Sequence, residues 1–160
     1  MTAAAVVAEL VRRAETVATC ESLTGGLLCA ELTTVPGSSA VVRGGLVTYA
    51  TDLKTTLAAV PAELVAQRGV VSRDVAEAMA QGVRAACGAT WGMGTTGVAG
   101  PDPLDGRSPG TVCIAVAGPG GAVSVEECFD GDRAEVRRRT VVAALDLLAR
   151  CLGPARSHQA

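Results

Sequence analysis

Apolar and polar positions follow one another along the chain in blocks that alternate between helical and strand spacing. Apolar side chains at intervals of three and four residues predict amphipathic helices, and short β-branched runs predict buried strands. Helices are expected from a cap at Thr2, over 27–34, from Thr51 and Asp52, from Pro61 to about Gln67, from Ser72 to Gly88, and from Asp132 to Gly153. Strands are expected over 16–19, about 41–49 with a bulge at its glycines, 89–95, 110–117 and 122–129.

The order of these elements predicts the fold class. Helices and strands alternate early, and a hairpin comes late, which is typical of a layered α/β fold with a mixed β-sheet flanked by helices. Residues 102–109 are dense in Asp, Pro and Gly and are expected to form a surface loop. We therefore expect a single domain over 1–153, followed by a disordered polar tail over 154–160.

The composition argues against several classes of function. The net charge is −2, so nothing draws the chain to nucleic acid or to an anionic membrane surface. One Trp, one Tyr and one Phe leave no aromatic set for stacking on single strands. No apolar run approaches the length that spans a bilayer. The six cysteines form no C-x-x-C pair, which favours buried reduced thiols and a cytoplasmic location.

Three residue types are rare enough to direct attention to single positions. Lys54 is the only lysine, and every other cationic side chain is an arginine. Tyr49, five residues earlier, is the only tyrosine, and His158 in the polar tail is the only histidine. A Ser-His-Asp or Cys-His mechanism therefore lacks a usable base. We expect no metal site and no cofactor, since histidine is the commonest ligand that such a site would need.

A serine lies where the first strand passes into the second helix, in the segment E-S-L-T-G-G at 21–26. Free amides at a helix start attract anions, and glycines let a ligand approach the backbone closely. The hydroxyl of Ser22 can therefore be a nucleophile, a phosphate ligand or only a helix cap. We expect Thr24, Gly25 and Gly26 to contact the substrate.

Lys54 is the candidate base for Ser22. A neutral lysine amine can take a serine proton, whereas arginine cannot, so an arginine-rich chain has a reason to keep one lysine. An exposed lysine is neutral in only about one molecule in 2,500 at pH 7, and burial would raise that fraction. The alternative is an ordinary surface lysine. Glu21 could balance Lys54 or orient the serine, and Tyr49 could relay the proton, contact a substrate ring, or be an ordinary strand tyrosine.

Two later segments also carry candidate chemistry. Thr96 and neighbouring amides, including that of Gly97, could hold a developing oxyanion or orient Ser22. Arg133 at a helix start suits a phosphate or a carboxylate. The arginines over 137–139 are as easily a solvated helix face, which we favour for Arg138 and Arg139.

Five short motifs occur in the same order and spacing as in a known family. They are E-S-L-T-G-G at 21–26, which matches the family signature E-S-C-T-G-G, then G-x-x-x-Y-x-x-x-x-K at 45–54, S/T-G-x-A-G-P at 96–101, G-T-V at 110–112 and F-x-G-D-R at 129–133. Over about residues 4–152 the chain resembles the CinA C-terminal domain family, which includes stand-alone nicotinamide-nucleotide amidases of the PncC type. It departs from the family pattern at Leu23, where Cys is usual, and at Cys20, where Ala is usual.

The resemblance implies a mixed α/β fold and hydrolysis of the carboxamide of nicotinamide mononucleotide, without metal or cofactor. It implies that Ser22 is the nucleophile, Lys54 its base and Tyr49 an assistant in proton transfer. It also implies that Thr96 supports the hydroxyl or the oxyanion and that Arg133 anchors or orders the site. We expect a small nucleotide as substrate, no nucleic-acid or membrane partner, and a homo-oligomer with a dimer as the working hypothesis.

Two other functions fit the same residues. The domain could be a nucleotide-binding regulatory module without turnover, or a serine–lysine hydrolase for a different amide. Binding without ammonia release would indicate the first, and activity on substrates that lack the phosphate would indicate the second.

Overall fold

Five strands and six α-helices make up residues 2–153, the part of the chain that the computed structural model describes. The strands are β1 Val17–Glu21, β2 Val42–Val47, β3 Trp91–Gly97, β4 Thr111–Gly118 and β5 Gly121–Cys128. The helices are α1 Ala3–Arg13, α2 Leu27–Thr33, α3 Thr51–Ala58, α4 Ala62–Arg68, α5 Arg73–Ala86 and α6 Arg133–Leu152, with a 3₁₀ turn at Ser38–Ala40. The tail over 154–160, where disorder was predicted, lies outside the described residues.

The strands form one sheet in the order β2-β1-β3-β4-β5. Strands β2, β1 and β3 are parallel, whereas β4 and β5 are antiparallel to their neighbours. The predicted mixed sheet is therefore confirmed. Because the three parallel strands point the same way, the segments that follow Glu21, Val47 and Gly97 leave the sheet at one edge, where layered α/β folds place their sites.

Helices cover both faces of this sheet. Buried side chains of α1, α2 and α6 pack on one face, and those of α3 and α5 pack on the other with α4 beside them. Strand β4 serves both layers, since Ile114 belongs to the first core and Cys113 to the second. In β3, Met93 fills the first core, while Gly92 and Gly94 face α5 and allow its backbone to lie directly against the strand.

Local signals place most element ends correctly. Thr2, Ser72 and Asp132 accept hydrogen bonds from amides three residues later and cap α1, α5 and α6. The predicted bulge is confirmed in β2, since Val17 pairs with Val42 but the next residue of β1 pairs with Gly44. The expected cap at the start of α3 is wrong, because Thr51 and Asp52 lie inside the helix.

Residue Ala50 precedes α3, and its side chain makes no capping hydrogen bond. The first helical turn is instead held through Lys54, whose buried side chain folds back towards the end of β2. Lys54 thus links α3 to the residue after β2, but as a donor it does not cap the first amides of the helix.

Candidate active site

The serine and the lysine meet at the carboxyl edge of the parallel strands. Ser22 follows β1 directly, and Lys54 is the fourth residue of α3, the helix that follows β2. The Nζ atom of Lys54 lies 3.1 Å from Oγ of Ser22 and donates a second hydrogen bond, 2.7 Å long, to the carbonyl oxygen of Thr48. Lys54 is 0% exposed and Ser22 is 7% exposed.

Burial is the main influence on the charge state of Lys54. Removing the ammonium from water lowers the pKa of Lys54 below its ordinary value of 10.5, and the Cys20 thiol opposes this shift. A neutral amine keeps two protons and one lone pair. One proton can remain on the Thr48 carbonyl while the lone pair accepts the hydroxyl proton of Ser22 along the same 3.1 Å line. The pair can therefore act as nucleophile and base.

Glu21 occupies the start of α2. Its carboxylate is 1% exposed and accepts hydrogen bonds from the amides of Gly26, Leu28 and Cys29 at 2.8–3.1 Å. The Thr19 hydroxyl donates a fourth bond of 3.1 Å. The amides expected to be free for an anionic ligand are thus already bonded to a buried anion. Glu21 does not form an ion pair with Lys54; it fixes the segment behind the nucleophile.

The expected substrate contacts of Thr24, Gly25 and Gly26 have no support in this geometry. Thr24 is fully buried, and its hydroxyl lies 2.8 Å from that of Thr95. The amide of Gly25 donates to the carbonyl oxygen of Ser22, and Gly26 donates to Glu21. Gly25 and Gly26 have φ values of 60° and 98°, so their role is to let the backbone turn sharply behind the serine.

Thr96 lies on the same face of the sheet as Ser22, but its hydroxyl is engaged elsewhere. The side chain is fully buried and donates a 2.9 Å hydrogen bond to the carbonyl oxygen of Val70. Its proton therefore holds the segment before α5 rather than a developing oxyanion. The next residue, Gly97, does line the cavity in front of Ser22.

Tyr49 and Arg133 meet at the mouth of the site. One guanidinium nitrogen of Arg133 donates to the hydroxyl oxygen of Tyr49 at 2.7 Å, and another donates to the carbonyl oxygen of Gly100 at 3.0 Å. Tyr49 is 60% exposed. Within residues 2–153 its hydroxyl makes no hydrogen bond to Ser22 or Lys54, so the expected proton relay is not formed in this arrangement.

Arg137 reaches the turn after the nucleophile from α6. Its Nε and one Nη donate to the carbonyl oxygens of Leu23 and Thr24 at 3.0 and 3.1 Å. The sequence interpretation left the role of Arg137 open and favoured a solvated face for Arg138 and Arg139, which are indeed exposed. The position of Arg137 four residues after Arg133 is the signal that places both side chains towards the same edge of the sheet.

A cavity of about 410 Å³ opens in front of Ser22, a size that suits a small ligand. Its walls include Ser22, Leu23, Tyr49, Thr51, Val70, Gly97, Val98, Ala99, Gly100, Pro101, Asp102, Pro103, Leu104 and Arg133. The Asp/Pro/Gly-rich loop therefore contributes one wall, which the sequence did not reveal. A larger groove of about 890 Å³ between β5 and α6 contains none of the candidate site residues.

In residues 2–153 no group of three or more His, Cys, Asp or Glu side chains is arranged to hold a metal ion. Among the helices of that part of the chain, none combines the length and apolar character that crossing a bilayer requires.

Fold and site together define a layered α/β domain with a buried serine–lysine pair at the carboxyl edge of its parallel strands. The chain belongs to the CinA family, since the model of the CinA C-terminal domain matches residues 1–152.

Curated relatives of this family include larger proteins. A CinA-like protein of Frankia casuarinae is 50% identical over 143 residues, which are 89% of this chain and 33% of that protein. A CinA-like protein of an Anaeromyxobacter species is 50% identical over 146 residues, which are 91% of this chain and 36% of that protein. The chain thus spans about a third of the length of these relatives.

Solved structures show the same fold. The competence/damage inducible protein CihA from Agrobacterium tumefaciens superposes with a TM-score of 0.88 at 35% identity over 92% of both chains. A CinA superfamily protein from Klebsiella pneumoniae gives a TM-score of 0.91 at 30% identity over 94% of both chains.

Proposed function

We propose that this domain is an amidohydrolase that converts nicotinamide mononucleotide to nicotinate mononucleotide and ammonia. The observation that carries the proposal is the 3.1 Å contact between Oγ of Ser22 and Nζ of a fully buried Lys54. Burial lowers the pKa of this lysine, which increases the fraction of neutral amine available as a base. The family resemblance supplies the substrate.

The reaction proceeds through an acyl-enzyme. Oγ of Ser22 attacks the carboxamide carbon, and the hydroxyl proton passes to Nζ of Lys54. The tetrahedral adduct collapses as Lys54 returns this proton to the departing nitrogen, which releases ammonia. Water then attacks the ester carbonyl and transfers its proton to Lys54. The protonated amine returns the proton to Oγ, and the nicotinate product leaves.

The walls of the cavity fit a substrate with an anionic end. Arg133 is the cationic residue on those walls, and it lies at the mouth beside Tyr49. A 5′-phosphate placed there would gain a charge-assisted hydrogen bond from the guanidinium, while the carboxamide faces Ser22 in the interior. This arrangement assigns recognition of the phosphate to α6 and the loop after β3.

Ammonia release from three substrates tests the proposal. Nicotinamide mononucleotide, its riboside and free nicotinamide are compared with the wild-type protein, and Ser22→Ala should abolish release from the mononucleotide. Ser38→Ala, which alters another buried serine outside the cavity, is the matched control and should retain activity. Full activity of Ser22→Ala would refute the nucleophile assignment.

The same experiment separates the alternatives. Calorimetric binding of the mononucleotide by the wild type without ammonia release would indicate a regulatory module. Equal or faster turnover of the riboside would indicate a hydrolase for another amide.

A further inference from the structure

Arg137 holds the peptide units that join Leu23 to Thr24 and Thr24 to Gly25, just after the nucleophile. Its donors reach consecutive carbonyl oxygens, 3.0 Å to Leu23 and 3.1 Å to Thr24, across more than one hundred residues of sequence. The planar fork of a guanidinium suits two neighbouring acceptors, and a lysine ammonium in its place would be a single point of charge. Arg137 is half-buried, so solvent screens these bonds less than it would on an open surface.

The hydrogen bonds of the turn leave two donors unused. The amide of Ser22 donates to the carbonyl oxygen of Thr95, that of Gly25 to Ser22, and that of Gly26 to Glu21. Among the amides over 22–26, within the described part of the chain, only those of Leu23 and Thr24 make no hydrogen bond.

These two amides are the ones nearest in sequence to the nucleophile. Leu23 lines the cavity beside Ser22. Thr24 is fully buried and does not line the cavity, so the amide of Leu23 is the one placed to meet a substrate. Arg137 bonds to the carbonyl oxygen of Leu23 and so restrains the residue that carries this amide. Oxyanion sites need donors that are fixed before the reaction begins.

We propose that Arg137 is a positioning residue for catalysis: it fixes the backbone of Leu23 and Thr24, so that the amide of Leu23 is held in place for the oxyanion that forms when Ser22 attacks. This inference rests on the proposed amide hydrolysis. It assigns the oxyanion to the turn after the nucleophile, in place of Thr96, whose hydroxyl is bonded to Val70. Arg137 itself makes no contact with the substrate in this assignment.

A purely structural role for Arg137 gives a different experimental pattern. If Arg137 only links α6 to the turn, its replacement would lower the stability of the protein, but the molecules that remain folded would keep the wild-type kcat. A positioning role lowers kcat in protein that is fully folded and leaves KM nearly unchanged, because oxyanion contacts form only in the transition state.

The test uses Arg137→Gln and Arg137→Lys, with Arg138→Gln as the matched control. Arg138 is the next residue on the same helix, is exposed, and donates a hydrogen bond to Glu135 on its own helix. Thermal melting and circular dichroism establish the folded fraction of each protein. We expect Arg137→Gln to lower kcat by about 100-fold with KM within about threefold of wild type, Arg137→Lys to fall between them, and the control to match wild type.

A second measurement does not depend on the natural substrate. A fluorophosphonate probe labels an activated serine: Oγ of Ser22 bonds to phosphorus, fluoride leaves, and the hydroxyl proton passes to Lys54. The labelling rate of Arg137→Gln should fall in parallel with kcat. If the wild-type protein is labelled but releases no ammonia from nicotinamide mononucleotide, the proposed substrate is wrong. The labelling rates of the wild type and Arg137→Gln then still test the role of Arg137.

Three results would overturn the inference. The first is a folded Arg137→Gln with kcat and labelling rate within threefold of wild type. The second is a raised KM with unchanged labelling, which would make Arg137 a substrate ligand. The third is loss of folding in both Arg137 variants, which would make the residue structural.

Discussion

Lys54 is held without a counter-charge. Its two hydrogen-bond partners are the hydroxyl of Ser22 and the carbonyl of Thr48, and within residues 2–153 it forms no salt bridge. A buried ammonium with neutral partners costs free energy, which the protein reduces by releasing the proton. Lys54, which makes the serine reactive, therefore also lowers the stability of the folded state whenever its amine is protonated.

Replacement of Lys54 by Met should show both effects. Lys54→Met removes the base and is expected to abolish ammonia release. It also removes the buried charge, so its free energy of unfolding should exceed that of wild type at low pH by on the order of 1 kcal/mol or more. The lowered pKa of Lys54 means that the unfolded wild-type chain binds more protons between that pKa and 10.5, so wild-type stability rises with pH through this window. The difference in free energy of unfolding between Lys54→Met and the wild type should therefore shrink as the pH rises.

Urea unfolding of both proteins between about pH 6 and about pH 9 measures this difference. Lys54→Arg is the companion variant, because it keeps a charge and loses the base; its kcat should fall by at least about 100-fold. A stability difference that does not change with pH would show that the pKa of Lys54 is not lowered. Normal turnover by Lys54→Arg would show that the lysine is structural.

Single rare residues were the part of the site that the sequence predicted best. Ser22 and Lys54 could be paired because a lone lysine in an arginine-rich chain needs a chemical reason. The partners of Glu21 and Arg137 could not be predicted, since both bond to backbone atoms that have no sequence signature. The hydroxyl of Thr96 was assigned to the site for its place after a strand, but a carbonyl on another loop holds it.

At the scale of elements, the contact between α5 and β3 depends on two glycines of β3, which have no side chain. A Cβ on Gly94 would lie 2.3 Å from the carbonyl oxygen of Ala76, and one on Gly92 would lie 2.0 Å from that of Ala80. Backbone atoms cannot move aside as a flexible side chain can. These glycines therefore set the depth at which α5 sits on the sheet and, through Val70 before it, one wall of the cavity.

Gly94→Ala is expected to destabilise the fold by about 1–3 kcal/mol, because the helix must shift away from the strand. Gly120→Ala is the matched control, since a Cβ there meets nothing within 4 Å and its φ lies outside the left-handed region. Urea midpoints of the two variants and the wild type provide the measurement. Equal midpoints for Gly94→Ala and Gly120→Ala would contradict the proposed close packing.

The sequence predicted the elements well where a strand is one apolar run, as in β4, and where caps are polar, as at Ser72. It was less exact for β1 and β3. Both strands run two residues further than predicted, to Glu21 and Gly97, because pairing in the centre of a sheet extends a strand past its apolar run. The cap expected at Thr51 and Asp52 was wrong because α3 begins at Thr51, after Ala50, whose side chain cannot accept a hydrogen bond.

At the scale of the whole molecule, the six thiols report on different parts of the fold. Cys128 is exposed on β5, whereas Cys20 and Cys113 are buried beneath the α5 layer. Burial raises the pKa of both buried thiols to about 11. Since the thiolate is the reactive form, these two groups are protected by protonation as well as by burial.

Thiol labelling by a disulfide reagent near pH 8 should therefore occur in separate phases. Cys128 is expected to react rapidly in the native protein, and Cys128→Ser should remove that phase. Cys20 and Cys113 should react only at the rate of global unfolding, and fully in denaturant. Mass spectrometry of labelled peptides identifies each phase. Labelling of Cys20 as fast as that of Cys128 would contradict the packing of the α5 layer.

The carboxylate of Glu21 has a consequence for redesign. Since it already satisfies the amides of Gly26, Leu28 and Cys29, the helix after the nucleophile offers no cradle for a phosphate. Bond cleavage and recognition of a charged substituent are thereby assigned to separate segments of the chain. An engineer could exchange Arg133 and the loop after β3 to change which amides are accepted, while the segment that activates the serine is left intact.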